Sequence, residues 1–426
     1  MTFEEHLKKY LNDEEISRLL SSFNNKDKHA ALLNLSKMDD ETFVSLFPNV
    51  IPHPIVKHAY LYDKDEYDLG KSVYHDLGCF YLQEPSAMIP SFLLSPKEGE
   101  VVLDLCAAPG GKSVQASFLM NNDGLIVSND LSKDRAFSII ENIERLGLAN
   151  IIVTNNDFSK IYDRFNNFFD KIILDAPCSG SGMFRKDIKM RDDWSYGKVL
   201  KYSEIQKELI LYAYSMLKEG GEMVYSTCSY SFEEDEEVIQ YLLDNSDAEI
   251  VNIDKNEHFY VSNKLGYGIH LFPSLFDGEG HYVCLIKKPG IIKPSKINNQ
   301  LIDKKFKEIE IDGRLHHFDN FNDVLFALPM HVCLPNGLNI LRKGIKVLEW
   351  NKNYFKYEYH YSHYLKDFSN IYRLDDDNLM KYLKGYQLDI TCMRGYILLK
   401  YKNINVSFGK SDGSHIKNHY PKGIRR

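Results

Sequence analysis

Between Val101 and Ser226, five short apolar runs alternate with stretches of helical periodicity, and each run ends on or just before a residue able to do chemistry. The runs cover residues 101–105, 125–129, 151–154, 171–174 and 223–226. After the second run, Ser132 stands where a helix N-cap belongs. Ala136, Ile139, Ile140, Ile143 and Leu146 follow at helical spacing, and Gly147 offers a C-cap. Ile205, Leu209, Tyr212, Ala213 and Met216 predict the face of a later helix that stops at Gly220-Gly221. Strands alternating with helical crossovers build a parallel sheet with helices on both faces. In such open α/β sheets, ligands bind beyond the carboxyl ends of the strands. The DLCAAPGGKS turn, Asp130, Asp157, Asp175 with Cys178, and Cys228 all fall at such ends.

The turn from Asp104 to Ser113 narrows the choice of ligand. Its glycines let the backbone approach a bound group, and the amides of the helix that follows favour negative charge. A dinucleotide fingerprint needs G-x-G-x-x-G, which is absent. A phosphate-binding P-loop would use Gly111-Lys112-Ser113 as its end, but Cys106 occupies the place of its first glycine. A third reading is a site for S-adenosylmethionine (AdoMet), which has a carboxylate, a sulfonium and a ribose but no phosphate. A glycine turn with a purely structural role is the fourth. An acid at the end of the second strand is the usual partner of ribose hydroxyls, which points to Asp130, and Asp157 after the third strand could reach an adenine amino group.

The seven cysteines are odd in number, widely spaced and free of any C-x-x-C pair, which argues against a disulfide framework and a zinc site, so no metal is expected. A lone cysteine is most often a small buried apolar residue. Cys178 and Cys228, placed at the tips of neighbouring strands, instead suggest a thiolate nucleophile and a partner. Methyl transfer to a pyrimidine C5 needs such a thiolate, because addition at C6 makes C5 enamine-like. Asp175 could then interact with N3 and the exocyclic amine of a cytosine.

A chain of 426 residues exceeds one ordinary core, so two or three domains are expected. With 44% hydrophobic and 26% charged residues, no long apolar run and a polar start, it reads as a soluble cytoplasmic protein without a membrane segment. The net charge of -8 requires any nucleic-acid partner to meet a local basic surface. Residues 1–95 read as short helices with a mixed remainder, Leu7, Leu11, Ile16, Leu19 and Leu20 approximating a face and Pro48, Pro52 and Pro54 breaking regular structure. A linker is expected over residues 289–300. Beyond it lies an aromatic-rich, mixed or all-β module, in which Tyr357, Tyr359 and Tyr361 have the period of a strand. Their stripe reads as a buried face in preference to a base-stacking one. From Lys400 onward Lys400, Lys402, Lys410, Lys417, Lys422, Arg425 and Arg426 face one acid, Asp412, which gives either a phosphate-facing tail or a solvated terminus.

Taken together, DLCAAPGGKS, DAPCSGSGMFRKD at Asp175 and YSTCSYSFEEDEEVI at Tyr225 resemble the NOL/NOP/Sun family of RNA 5-methylcytosine methyltransferases, in its bacterial RsmF-like branch. FYLQEPSAM at Phe80, GEGHYVCLIKK at Gly278 and the terminal KNHYPKGIRR extend the likeness. The chain departs from the family where His29-Ala30-Ala31-Leu32-Leu33-Asn34 stands for a GLRVN-like stretch, and where Ile188 replaces the proline after RKD.

The resemblance implies a Rossmann-like class I AdoMet-dependent methyltransferase core over residues 96–290. A small N-terminal RNA-binding extension (1–95) and a C-terminal α+β, PUA-like RNA-binding region (301–426) would flank it. It implies that Cys106, Ala107, Ala108, Pro109, Gly110, Gly111, Lys112, Asp130, Asp157 and Asp175 bind AdoMet. Cys228 would be the nucleophile, with Cys178 assisting release of the base, Lys112 near the transfer centre, and Arg185 and Lys186 facing RNA. The implied substrate is small-subunit ribosomal RNA in the decoding region, flipped out of its stack, and the enzyme is expected to act as a monomer. A tRNA methyltransferase, a non-catalytic ribosome-assembly factor and a P-loop NTPase are the alternatives.

Overall fold

The computed structural model describes residues 1–426 apart from 27, 187, 295–308, 316, 322, 331 and 353, and the side chain of Ile188. Four strands, β1 (His29–Leu33), β2 (Ile51–Pro52), β3 (Ala59–Tyr62) and β4 (Phe80–Gln83), form an antiparallel N-terminal sheet in the order β2-β3-β1-β4. Sequence periodicity predicts helices with a mixed remainder in this region. The two helices Phe3–Leu7 and Asp13–Ser22 are there, each closed by a capping box, but the sheet is an addition that periodicity does not foresee. Its runs HAALL, AYLY and FYLQ are covered on both sides and lack the alternation that marks a half-exposed strand.

The central sheet holds β5 (Val101–Asp104), β6 (Leu125–Asn129), β7 (Ile151–Thr154), β8 (Phe169–Asp175), β9 (Leu217–Thr227), β10 (Glu249–Val251), β11 (Ile269–His270) and β12 (Tyr282–Lys287). The strands β5 to β9 pair in parallel, and β12 closes antiparallel on β9 and carries β11 and β10. Both faces are covered. Val102, Ile126 and Ile173 pack with Ile89, Val114 and Ile139 of the helices on one side, and Leu103, Val127 and Leu174 pack with Ile210, Ala213 and Ile239 on the other. The helix Lys133–Leu146 runs from a Ser132 N-cap to a Gly147 C-cap, as its spacing predicts. The helix Tyr196–Met216 differs from expectation. It ends four residues before the glycines, which lie inside β9, and it buries Val199, Gln206, Ile210 and Ala213 while leaving Ile205 exposed.

The C-terminal region contributes β13 (His317–Phe321), β14 (Val324–Leu328), β15 (Ile340–Lys343), β16 (Ile345–Asn351), β17 (Tyr354–Tyr357), β18 (Ile371–Arg373), β19 (Gly395–Tyr401), β20 (Ile404–Ser411) and β21 (Ile416–Asn418). These make two four-stranded sheets, except that β15 crosses over to pair with β7 and extends the central sheet at its edge. The second half of the expected linker, residues 295–300, lies outside the described residues. The tyrosine stripe is buried, but not as a strand. Tyr357 ends β17, whereas Tyr359 and Tyr361 lie in the helix Tyr359–Tyr364. Residues from Lys400 onward form β19 to β21 and their connections, and Arg426 pairs with Asp76, so this segment is a folded sheet and not a loose tail. Among the described residues no helix is long and apolar enough to cross a membrane.

Candidate active site

Strand β5 ends at Asp104, a fully buried carboxylate that accepts a hydrogen bond from Ser113 Oγ at 2.6 Å. Burial pushes its pKa up to about 7, against the pull of that hydroxyl. The loop beyond it lies over the tip of β6. Ala107 N donates to the Asn129 carbonyl at 2.7 Å, and Ala108 N donates to Asp130 Oδ2 at 3.2 Å. Arg135 then ties the loop down by donating to the Ala108 carbonyl at 2.7 Å. Gly110 is the N-cap of the helix Gly111–Leu119 and carries no side chain to occupy the first amides. Those amides, with Asp130 beside them, suit a cofactor that has a carboxylate and a ribose. Cys106 and Pro109 reach the surface of the loop, whereas Ala107, Ala108, Gly110 and Gly111 are buried in it.

Asp157 is set further out. Its carboxylate accepts from Ser159 Oγ at 2.6 Å and pairs with Lys160 at 3.1 Å, and these contacts lower its pKa. Its loop is linked to the others through Asn155 Nδ2, which donates to the Asp130 carbonyl at 2.9 Å.

The remaining four residues come together at the tips of β8 and β9. Lys112 Nζ lies 2.7 Å from Asp175 Oδ2, and Ser226 Oγ donates to Asp175 Oδ1 at 2.6 Å. Burial alone would raise the Asp175 carboxyl, but Lys112 and His281 hold it well below the usual carboxylate range. The Cys178 and Cys228 sulfurs are 3.0 Å apart. That hydrogen bond, with burial, pushes the Cys178 thiol well above its ordinary value. Gly182 makes the approach possible. Its amide donates to the Cys228 carbonyl at 2.7 Å, and a Cβ there would stand 2.8 Å from that same oxygen.

Several groups that sequence reasoning passes over support this centre. Glu234, fully buried, accepts from Ser179 N at 2.8 Å, from Ser179 Oγ, and from Ser229 Oγ at 2.6 Å. It therefore grips the residue following each cysteine. His281 stands 3.7 Å from Asp175 and within 3.2 Å of Ser86 Oγ, which in turn donates to Glu84. The stretches FYLQEPSAM and GEGHYV, uninformative alone, thus meet behind Asp175. The available signal is a run of acids, Glu233 to Glu237, that begins five residues after a candidate nucleophile. Arg185 contradicts its expected role. Its side chain is buried against an equally buried Glu279 at 3.1 Å, because a guanidinium taken out of water needs a carboxylate. Lys186 is exposed. Asp235, Glu236 and His270 form a buried cluster able to hold a metal ion. Asp235 Oδ1 accepts from Thr227 Oγ1 at 2.6 Å and Glu236 pairs with His270 Nε2 at 2.7 Å, so the cluster also braces the turn that carries Cys228.

Comparison with known proteins gives three family matches. Residues 91–287 match the model for 16S rRNA methyltransferase RsmB/F, residues 1–85 the N-terminal domain of 16S rRNA methyltransferase RsmF, and residues 369–426 the methyltransferase RsmF PUA domain. A ribosomal RNA small subunit methyltransferase F from Vibrio vulnificus is 32% identical over 394 residues, covering 85% of this chain and 83% of its own. A tRNA (cytosine(49)-C(5))-methyltransferase from Pyrococcus abyssi is 40% identical over 250 residues, covering 56% of this chain and 80% of its own. The solved structure of a methyltransferase homolog protein from Pyrococcus horikoshii superposes with a TM-score of 0.59 at 29% identity, covering 67% of this chain and 93% of that one.

Proposed function

Because the chain belongs to the RsmB/F family of 16S rRNA methyltransferases, we propose that it transfers methyl from AdoMet to C5 of a cytosine in the decoding region of small-subunit ribosomal RNA, through a covalent bond between Cys228 and C6. The observation that carries this reading is the 3.0 Å pair of sulfurs standing beside the Lys112–Asp175 ion pair. The loop 106–112 and Asp130 would hold AdoMet, which supplies an electrophilic sulfonium methyl when bound, and Asp157 would border its adenine.

A cytosine C5 is a poor nucleophile within the aromatic ring. When the Cys228 thiolate adds to C6, electron density moves to C5, which can then take the methyl group. Asp175, kept ionised, accepts from the exocyclic amine, while the Lys112 ammonium favours the negative charge that builds on the ring. The C5 proton then passes to a basic group, the C5–C6 double bond re-forms and the sulfur leaves C6. Cys178, held as the thiol, donates its hydrogen bond to that departing sulfur.

The two cysteines separate these steps. With AdoMet labelled in its methyl group and ribosomal RNA, Cys228→Ala should transfer nothing. Cys178→Ala should accumulate an RNA–protein adduct that survives denaturing electrophoresis. Full methylation by Cys228→Ala would overturn the scheme. Identity with the tRNA enzyme is higher, which makes tRNA the second reading, but that likeness stops at 56% of this chain. The ribosomal relative extends over 85% and takes in both flanking regions, which supports the ribosomal substrate. Bisulfite sequencing of ribosomal RNA and tRNA from cells with and without the protein distinguishes the two.

A further inference from the structure

At the end of the central sheet opposite the cysteines, three parts of the chain enclose a groove of about 890 Å³. Asn122 and Gly147, which precede β6 and β7, border one side. The N-terminal sheet borders the second, and the segments 363–366 and 400–405 border the third. Its apolar lining includes Leu32, Val56 and Leu148 together with Phe92 and Phe118, which are partly buried against the core. Among the described residues no aspartate or glutamate lines it, but Lys57, Lys366, Lys400 and Lys402 do. None of these four lysines forms an ion pair among the described residues, and Lys400 Nζ donates to the Lys366 carbonyl at 3.2 Å, which sets those two side by side. A chain with a net charge of -8 has thus gathered four lysines without an acid partner among the described residues from three distant segments around one opening, with Lys402 Nζ donating to Tyr74 Oη at 3.3 Å and lying over the Tyr401 ring.

The seam is built to hold its shape. Lys37 Nζ donates to the carbonyls of Leu77 and Arg145 at 2.9 and 3.1 Å and meets His363 Nδ1 at 2.9 Å, joining all three parts at one atom. Gly147 is in the left-handed region, and a Cβ there would lie 2.5 Å from the His363 carbonyl, so only glycine lets the C-terminal module sit this close. Asn405 Nδ2 fixes the last turn of the helix Tyr359–Tyr364 by donating to the carbonyls of Ser362 and Leu365 at 2.7 and 2.6 Å.

We propose that this groove binds a single-stranded segment of the substrate RNA at a distance from the target cytosine, with phosphates on the lysines and bases against the apolar lining and the two phenylalanines. Lysines free of acid partners beside apolar and aromatic side chains are the combination that single-stranded nucleic acid uses, phosphates giving affinity and rings giving stacking. The assignment rests on the RNA substrate proposed above. It divides the work of recognition, so that one end of the sheet does chemistry on a base while the other holds the strand that leads away from it.

The test uses the full chain with Lys57, Lys366, Lys400 and Lys402 all changed to Glu, and a second variant with all four changed to Arg. Binding of full-length ribosomal RNA is followed against salt, alongside methylation of that RNA and of a short oligonucleotide around its modified cytosine. For the Glu variant, KM for the long RNA should rise roughly tenfold or more, and the salt slope should fall by about 0.7 for each phosphate that the rim no longer neutralises. Its kcat, and its activity on the short oligonucleotide, should stay at the wild-type level, and the Arg variant should bind normally. An unchanged KM and salt slope for the Glu variant on the long RNA would overturn the groove assignment. A wild-type enzyme that methylates no RNA, yet shows the groove-dependent salt slope, would overturn the proposed reaction and leave the groove standing. Equal impairment on long and short substrates would show that the lysines act on the catalytic site, which also defeats the proposal.

Discussion

Glu234 shows what a single residue does here that a motif cannot convey. Its carboxylate is fully buried, burial raises its pKa, and two serine hydroxyls and one amide direct their hydrogen bonds to it. Both hydroxyls converge on Oε2 while Ser179 N and Gln206 Nε2 donate to Oε1, so Glu234→Gln must present its amide group either to the two N–H donors or to hydroxyls that have to reverse their bonds. The variant forfeits at least one hydrogen bond to a charged acceptor, worth about 1.5–3 kcal/mol. The expected outcome is a fall in kcat of roughly tenfold or more, with AdoMet affinity unchanged, because the two cysteine turns no longer share an anchor. Steady-state kinetics with direct AdoMet titration measures this, and an unaltered kcat would remove Glu234 from the positioning role. The cysteines, Asp175 and the glycine loop are legible in the sequence because each lies in a short contiguous stretch whose chemistry is local. Glu234 is not, since its contact with Ser179 spans 55 residues and only the folded sheet brings the two together.

At the scale of elements, strand order is easier to read than helix orientation. Every strand of the parallel core ends within one residue of the end of its apolar run, because β5 to β8 are covered on both faces and admit few polar residues. The helix Tyr196–Met216 is rotated by part of a turn from the face that its spacing predicts. It is rich in apolar and aromatic residues on several sides, so more than one face fits the period, and Gln206 and Ser203 are the residues that point inward at the catalytic end. Gln206 donates to the Pro177 carbonyl and to Glu234, and Ser203 to the Glu233 carbonyl, a use of polar side chains that periodicity cannot anticipate. The difference is measurable. Ile210→Ala, at a fully buried position, should cost about 2–5 kcal/mol in urea unfolding. Ile205→Ala, at the exposed position, should stay within about 0.5 kcal/mol. Equal destabilisation at both sites would mean that the helix is turned away from the orientation described.

The whole molecule is more closely joined than its sequence divides it. Ala31, Leu33, Phe43 and Phe80 of the N-terminal region share one apolar core with Leu379, Tyr382, Ile397 and Val406 near the C-terminus. Lys402 reaches Tyr74, and Arg426 reaches Asp76. A chain ended after Lys288 should therefore expose the apolar face of its N-terminal sheet, bind a hydrophobic dye and become poorly soluble, whereas the intact chain should do neither. A soluble fragment that methylates RNA would contradict this. Contacts between the two ends of a chain leave no periodic mark in either segment, so this union is the part of the architecture least accessible to sequence. The strand β15 carries a further consequence, for biosynthesis. Its partner β7 is finished at Thr154, but Ile340 emerges only after another 186 residues have been added. At about 5–20 residues per second, the rim of the catalytic sheet waits roughly 10–40 seconds on the ribosome before its last strand arrives. Throughout that interval the nascent chain displays an open β-edge, the surface that chaperones shield and that aggregates extend. The protein is thus most vulnerable while it is being made on the kind of particle it is proposed to modify.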